Sequence, residues 1–248
     1  MGSIEIDCPN FGPLSLAGDR LHAGSDFDAR ANGGREGLDY LIFLDSRGIS
    51  GGFEGSLVDK LTDWVSGVGG HYLSLCRPLE LTTWATLVNF ITLNKLTPGK
   101  IVTNMGFVDF TPKKQSILED AIRQAEVFAG FGVAKSYVLQ DTATSMGGEI
   151  PLYSMTYDAT YRRHIESIVV RQPTVVINSP LVDPGIRVER SRPGAFFHAL
   201  AESNEFNRSI RGVQLVDLPE FDESLTYDAV HYTERGNEVI FEIVKGYL

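Results

Sequence analysis

The chain has 248 residues, 43% of them hydrophobic and 22% charged, which is enough to bury the core of one large α/β domain. Its 22 lysines and arginines stand against 32 aspartates and glutamates, giving a formal net charge of -10 at pH 7. Because an acidic surface repels phosphate groups, this balance argues against nucleic acid or an anionic membrane surface as a partner.

The cysteines, the histidines and the N-terminal residues predict a cytoplasmic protein without a metal or other cofactor. Cys8 and Cys76 show no CxxC spacing, which favours two reduced thiols, with a single Cys8–Cys76 bridge as the alternative. None of the five histidines has a metal-ligand spacing such as HExxH. The first residues are too acidic for a secretory leader, and no run of about eighteen apolar residues predicts a membrane span.

Residues 1–38 are rich in glycine, aspartate and asparagine, which predicts a loop-rich lead-in with one short strand around residues 14–17. From residue 39 onward, apolar runs alternate with segments of helical periodicity. Strands are predicted at 40–44, 71–75, 100–105, 135–140, 174–178 and 213–217. Helices are predicted from about residue 53 and at 81–91, 111–129, 158–170, 196–208 and 234–248. This alternation predicts one doubly wound domain over residues 39–248, with a mostly parallel sheet covered on both faces.

The residues that follow the strands are the candidates for chemistry, because ligands of open parallel sheets bind beyond the carboxyl ends of the strands. Ser46 follows the first predicted strand of the domain, and Asp228-Ala229-Val230-His231 lies near the C-terminus. A nucleophilic serine needs a base, and that base needs a carboxylate to hold its tautomer. The three-residue spacing lets Asp228 reach Nδ1 of His231 and leaves Nε2 to face a cleft. The alternative is that Asp228 caps a turn and His231 is an ordinary surface residue.

Two blocks of the sequence together resemble the SGNH (GDSL-like) hydrolases: residues 42–47, Ile-Phe-Leu-Asp-Ser-Arg, and residues 228–236, which begin Asp-Ala-Val-His and end in glycine. The resemblance spans residues 39–248 and implies a three-layer α/β/α sandwich with a flavodoxin-like sheet. It also implies hydrolysis of esters or thioesters, with Ser46 as nucleophile, His231 as base and Asp228 as the orienting carboxylate. Leu44 stands where the family usually has glycine, and Gly18-Asp19-Arg20 repeats part of the first block without its serine.

The blocks that build the oxyanion hole in that family are altered here. Gly106-Phe107-Val108-Asp109 carries valine in place of the asparagine whose amide donates to the oxyanion, and residues 76–82 lack the expected glycine. Loss of one such donor typically lowers turnover about a hundred- to a thousandfold. Asn104 is no substitute, since it lies four residues before Val108, about 13 Å away in an extended chain. The remaining candidates for oxyanion or substrate binding are the backbone N–H of Ser46 and the side chains of Arg47, Arg77, Thr82, Thr83 and Asp109, the last of which is alternatively a turn cap.

The sequence therefore predicts a serine hydrolase that acts on an ester through an acyl-enzyme. The family resemblance favours a small acyl group on a carbohydrate or another small molecule. An acyltransferase with the same triad is one alternative. The other is a degenerate relative that binds a ligand or partner without turnover. The pattern predicts no particular oligomeric state.

Overall fold

A computed structural model describes residues 4–8, 12–16, 20–22, 27–49, 55–77, 82–117, 119, 137–145, 148–155, 159–188, 192 and 194–248. Its strands, in chain order, are β1 (Ile4–Cys8), β2 (Gly12–Leu16), β3 (Arg20–His22), β4 (Asp28–Ala31), β5 (Tyr40–Leu44), β6 (Tyr72–Cys76), β7 (Lys100–Thr103), β8 (Lys113–Lys114), β9 (Tyr137–Ser145), β10 (Gly148–Met155), β11 (Thr174–Ile177) and β12 (Val213–Val216).

The helices of the same residues are α1 (Leu57–Gly67), α2 (Trp84–Asn94), α3 (Phe107–Phe110), α4 (Ala159–Val169), α5 (Gly194–Ser209) and α6 (Glu234–Lys245), together with a 3₁₀ turn at Ser46–Ile49. Hydroxyl side chains begin several of them. Ser56 accepts a hydrogen bond from the N–H of Asp59 at the start of α1, and Thr83 forms a capping box with Thr86 at the start of α2. Most of the helix predicted at 111–129 lies outside the described residues.

The main sheet has seven strands in the spatial order β12-β11-β7-β5-β6-β4-β3. Strands β12, β11, β7, β5 and β6 are parallel, and β4 and β3 extend the β6 edge in antiparallel fashion. Among the parallel strands the order is second-first-third-fourth-fifth along the chain, which is the flavodoxin-like order. The connections diverge between β5 and β7, so a ligand site is expected where these two strands end.

Two apolar layers cover the sheet, and alternate residues of one strand face them. Leu41 and Phe43 of β5 join the cluster that contains α2 and α4, whereas Ile42 and Leu44 join the cluster that contains α1 and α6. Helix α5 contributes to both clusters. A strand covered on both faces needs a continuous apolar run, which is why residues 40–44 show no polar alternation. The predicted three-layer α/β/α sandwich with a mostly parallel, flavodoxin-like sheet is confirmed.

The lead-in differs from its prediction, because residues 1–38 contribute four strands rather than one. β1 and β2 form a hairpin, while β4 pairs with β6 and so belongs to the same sheet as the strands predicted after residue 39. β4 reads Asp-Ala-Arg-Ala and lacks the apolar pattern of a buried strand. β4 is nevertheless buried. Its charges are paired, because the guanidinium of Arg30 lies 2.7 Å from Asp28 and 2.5 Å from Asp59.

A second antiparallel sheet, of order β8-β10-β9, was anticipated only at 135–140. β9 continues to Ser145 and pairs with β10 along its length, with an irregularity at Leu152/Tyr153.

Candidate active site

Ser46 is the first residue of the 3₁₀ turn that follows β5, at the carboxyl edge of the sheet. The turn is tight because the N–H of Gly48 donates to the carbonyl of Asp45 at 2.9 Å. A Cβ on Gly48 would lie 2.7 Å from Cβ of Leu44 and 2.8 Å from Sγ of Cys76, so only glycine fits there. The chain thus leaves the sheet abruptly and presents a half-buried serine at its edge.

Ser46, His231 and Asp228 form a continuous hydrogen-bonded chain. Oγ of Ser46 lies 3.3 Å from Nε2 of His231, and Nδ1 of His231 lies 2.9 Å from Oδ2 of Asp228. The imidazole keeps 26% of its side-chain surface exposed, against 9% for the carboxylate. This arrangement can pass a proton from the serine hydroxyl to the imidazole while the carboxylate holds Nδ1 protonated.

The loop backbone holds the Asp228 carboxylate in place. Oδ1 accepts hydrogen bonds from the N–H groups of Val230 at 3.0 Å and His231 at 2.7 Å. Ala229 adopts a positive φ of 64° to permit this turn, a conformation that costs a non-glycine residue about 1–3 kcal/mol. Burial acts to raise the pKa of Asp228, but the hydrogen bonds from His231 hold that pKa well below its usual range. Asp228 is therefore ionised at neutral pH.

Two neighbours on the same loop hold His231. The ring of Tyr227 stacks on the imidazole at 5.8 Å with an interplanar angle of 14°, and the hydroxyl of Thr226 donates to the carbonyl of His231 at 2.7 Å.

Thr233 caps α6 by accepting from the N–H of Gly236 at 3.1 Å. A Cβ on Gly236 would lie 2.1 Å from the carbonyl oxygen of Leu225, which explains the glycine that ends the second block. The loop and α6 are thus fixed against one another.

Arg47 lies inside the protein and not at a cleft, so the expectation that its guanidinium faces substrate is wrong. It is 1% exposed and binds both carboxylate oxygens of Asp45, with Nη2 at 2.8 Å from Oδ2. Its Nη1 and Nη2 also donate to Ser179 and to the carbonyl of Asn104. Burial acts to lower the pKa of Arg47, yet the attraction of Asp45 raises it above the ordinary value. The guanidinium is fully used in fixing the turn before Ser46.

Asn104 completes this cluster from the end of β7. Its Oδ1 accepts from the N–H of Asp45 at 2.9 Å, and its Nδ2 donates to Oδ1 of Asp45 at 3.0 Å. The amide therefore fixes the residue before Ser46, which agrees with the sequence argument that Asn104 is no substitute for the altered oxyanion block.

Asp109 and Thr83 serve helix starts. Asp109 is fully buried and accepts from the N–H of Gly106 and from the N–H of Trp84, each at 3.1 Å. Asp109 therefore caps the short helix α3, the turn before Thr111, as the alternative expectation had it, and it also binds the first N–H of α2. The hydroxyl of Thr83 is engaged in the capping box of α2, and Thr82 is buried beside it.

Arg77 follows β6 and has a positive φ of 53°, the left-handed region that favours glycine. Its N–H donates to the carbonyl of Leu44 at 2.8 Å, and the register pairs Leu44 with Cys76. Arg77 therefore lies beside Asp45, the residue before Ser46 on the neighbouring strand. A non-glycine residue in this region of φ carries backbone strain, and such strain often occurs at functional positions.

The site holds one cation that the sequence motifs did not indicate. Nη2 of Arg192 is hydrogen-bonded to Oδ2 of Asp228, and its Nε donates to the carbonyl of Asp228 at 3.0 Å. The available signal was its place in the segment between β11 and α5, which starts from the carboxyl edge of the sheet. No motif of the family resemblance contains it.

Cys76 is a free, buried thiol, so the structure has no Cys8–Cys76 bridge. Burial raises the pKa of Cys76 well above its ordinary value, and Sγ donates to the carbonyl of Asp45 at 3.0 Å. Such a thiol is a poor nucleophile. Across the ranges that the structure describes, no group of three or more His, Cys, Asp or Glu side chains is arranged to hold a metal ion. No helix in those ranges combines the length and the apolar character needed to cross a bilayer.

Several solved structures resemble this chain in the course of their backbone. An acetyl xylan esterase, AlAXEase, is 12% identical over 84% of this chain and 99% of its own, with a TM-score of 0.46. A protein described as a GDSL-like lipase from Parabacteroides merdae is 11% identical over 84% of this chain and 93% of its own, also at 0.46. A carbohydrate esterase family 2 enzyme from Corynascus thermopiles is 13% identical over 85% of this chain and 65% of its own, at 0.43. No protein-family model and no curated protein matches the chain.

Proposed function

We propose that this protein is a serine hydrolase of the SGNH type that cleaves an ester through an acyl-enzyme. Ser46 Oγ attacks the ester carbonyl while His231 Nε2 takes the hydroxyl proton. His231 then returns that proton to the leaving alcohol. Water, deprotonated by His231, attacks the acyl-enzyme and releases the acid and Ser46. Asp228 stays ionised throughout and stabilises the imidazolium formed in each half-reaction.

The observation that carries this proposal is the contact chain from Ser46 through His231 to Asp228, at 3.3 Å and 2.9 Å. Such a contact is within the reach expected of a nucleophile and its base, which are often looser before substrate binds. The three side chains come from two segments at one sheet edge, next to the point where ligands of this sheet order bind. If Asp228 only capped a turn and His231 were an ordinary surface residue, there would be no reason for Ser46 to lie beside the imidazole.

We propose that the oxyanion is held by the backbone N–H of Ser46 and by the guanidinium of Arg77. Ser46 begins a tight turn, and Arg77 directly follows the adjacent strand β6 at the same edge. A guanidinium is a permanent cation with several donors, so it stabilises a developing oxyanion without a proton transfer. Arg47 is buried on the Asp45 carboxylate and Asp109 is itself an anion, so Arg77 is the cation among the sequence candidates that follows β6 at this edge.

The family resemblance of the two sequence blocks implies an ester with a small acyl group on a carbohydrate or another small molecule. Transfer of the acyl group to a hydroxyl other than water uses the same residues. Hydrolysis is tested with p-nitrophenyl acetate, butyrate and decanoate, with acetylated sugars as a second series. Turnover that falls with acyl length, and that Ser46→Ala and His231→Ala each reduce by about 10³-fold or more, supports the proposal. Ser167→Ala, an exposed serine on α4, is the control and should leave turnover unchanged.

A second function is carried by Val108, which occupies the position of the missing amide donor. A protein of this fold without an effective oxyanion hole would bind an ester or a sugar and not turn it over. Saturable binding of such a ligand by calorimetry, with no hydrolysis by the wild type, would favour this alternative and contradict the hydrolase proposal.

A further inference from the structure

Arg192 binds the carboxylate oxygen of Asp228 that the loop N–H groups leave open. Its guanidinium binds Oδ2, the same oxygen that faces Nδ1 of His231, while its Nε donates to the Asp228 carbonyl. Both side chains of this pair are 9% exposed. Oδ1 is already occupied by the N–H groups of the loop. The carboxylate is therefore bound on every side, and its charge is shared between an imidazole and a permanent cation.

The ring of Phe196 lies against the guanidinium of Arg192. The guanidinium carbon lies 5.3 Å from the ring centroid of Phe196 at the start of α5, and Phe196 lies 6.3 Å from Phe107 of α3. The guanidinium carbon of Arg47 lies 4.9 Å from the ring centroid of Phe107. Such cation–aromatic contacts are attractive, and more so where water is partly removed. Through Phe196 and Phe107, this series of contacts connects Arg192, which binds Asp228, to Arg47, which binds Asp45 beside Ser46.

A cation on the shared oxygen alters what the carboxylate does for the imidazole. A carboxylate alone favours the imidazolium, and a guanidinium beside it opposes that second positive charge. The same cation fixes the rotation of the carboxylate, which orients the imidazole toward Ser46.

We propose that Arg192 is a positioning residue for this active site, which orients the Asp228 carboxylate and, through it, the imidazole of His231, and which opposes a second positive charge on that imidazole. The proposal rests on the proposed function, in which His231 is the base for Ser46. Among the described residues, the imidazole is contacted by Asp228 and Tyr227 of its own loop and by Ser46 of the turn after β5. Arg192 acts on it through Oδ2 of Asp228. Arg47, the other cation in this series of contacts, is paired with the carboxylate of Asp45.

The test compares Arg192→Gln, Arg192→Lys and the control Arg187→Gln, which removes the same charge from an exposed position of the same segment. The kcat/KM of a p-nitrophenyl ester is measured from pH 4 to 9. In Arg192→Gln the acid limb should move to higher pH by about half a unit to one unit, because the imidazolium is no longer opposed. Its kcat should fall about tenfold at nearly constant KM, since the carboxylate loses its fixed rotation. Arg192→Lys keeps the charge, so its acid limb should stay at the wild-type pH while kcat still falls. Arg187→Gln should match the wild type in both.

An NMR titration of the His231 ring separates this proposal from the proposed function, because it requires no turnover. The His231 signal is assigned by its loss in His231→Gln. Its titration midpoint should move to higher pH in Arg192→Gln and should stay in Arg187→Gln. An unchanged midpoint in folded Arg192→Gln overturns the proposal even if the enzyme is active. A shifted midpoint with an inactive wild type would uphold the coupling and reject the hydrolase. If Arg192→Gln does not fold, Phe196→Leu, which releases the guanidinium from its ring, replaces it and should lower kcat in the same way.

Discussion

Oγ of Ser46 lies 3.3 Å from Nε2 of His231, although the two residues are 185 positions apart in the chain. The sheet brings them together, because β5 delivers Ser46 to its carboxyl edge and the cap of α6 holds the histidine loop there. The turn that carries Ser46 is held by the contacts of Asp45 with Arg47 and Asn104. The imidazole of His231 is held by Asp228, which is itself bound by Arg192. The serine turn and the histidine loop are thus each held by several contacts within the protein itself.

Asp228→Asn tests the role of the carboxylate. The asparagine keeps an oxygen for the N–H groups of Val230 and His231, so the fold should survive. The imidazole loses the charge that stabilises its protonated form and is free to adopt the wrong tautomer. We expect kcat to fall about 10³- to 10⁴-fold with a much smaller change in KM. A kcat within tenfold of the wild type would show that Asp228 only shapes the loop.

Arg77→Gly separates a donor role from a backbone role. Glycine relieves the positive φ at position 77, so thermal stability should be unchanged or higher, by up to about 1 kcal/mol. Turnover should fall about a hundredfold, because the oxyanion loses a charged donor. Lys95→Gly is the control, since Lys95 has a φ of 49° at the C-terminal end of α2. It should gain similar stability without affecting turnover. Full activity in Arg77→Gly would remove Arg77 from the oxyanion hole.

Val108→Asn restores the amide that the resemblance leads one to expect at this position. Val108 is half-buried on α3, so an amide of similar size can be placed there without opening the core. If the present oxyanion hole lacks a donor at this point, kcat should rise about tenfold or more. Val108→Thr, which is closer in shape but has a shorter donor, is the comparison. An unchanged kcat in both variants would mean that position 108 does not face the oxyanion.

Gly236→Ala should be among the most damaging single-methyl changes in the chain. The added Cβ would lie 2.1 Å from the carbonyl oxygen of Leu225, so α6 or the histidine loop must move. We expect a loss of about 3 kcal/mol or more in the free energy of unfolding, together with weaker turnover. Gly246→Ala, with a φ of -67° and its nearest contact at 3.4 Å, is the matched control and should be close to neutral. Denaturant unfolding of the three proteins measures the difference.

Arg47→Met tests the buried pair beneath the nucleophile. It leaves the Asp45 carboxylate in the core without its cation, which typically costs about 3–5 kcal/mol. Arg208→Met breaks a similar Arg–Asp contact with Asp217, but that pair is 52% and 61% exposed. Exposed pairs contribute about 0–1 kcal/mol, so this control should scarcely change the unfolding midpoint. Equal losses in the two variants would mean that Arg47 is not the buried residue described above.

The central strands were predictable because parallel strands covered on both faces are written as unbroken apolar runs, as residues 40–44 show. The two outer strands β3 and β4 were not. β4 buries Asp28 and Arg30 as an ion pair, and a polar pattern of that kind is indistinguishable from a loop in sequence. The hairpin of β9 and β10 was found only in part, because its pairing is set between segments and not within either one.

The candidate site divides in the same way. The proximity of Ser46, Asp228 and His231 was predictable, because the two sequence blocks that contain them resemble the same family. Arg47 was expected at the cleft because it adjoins the nucleophile, but the turn directs its side chain inward to Asp45. Asp109 lies inside the protein because its carboxylate accepts hydrogen bonds from two backbone N–H groups at helix starts. Arg192 was missed because its contact with Asp228 spans 36 positions and depends on how α5 is placed against the sheet.

The most direct test of the central claim is the covalent labelling of Ser46 by a fluorophosphonate, followed by intact-mass and peptide mass spectrometry. The account predicts one adduct per chain on Ser46 in the wild type, none in Ser46→Ala, and labelling in His231→Ala slowed by a factor of about 10³ or more. Wild-type protein that remains unlabelled, or Ser46→Ala labelled as fast as the wild type, would contradict the account.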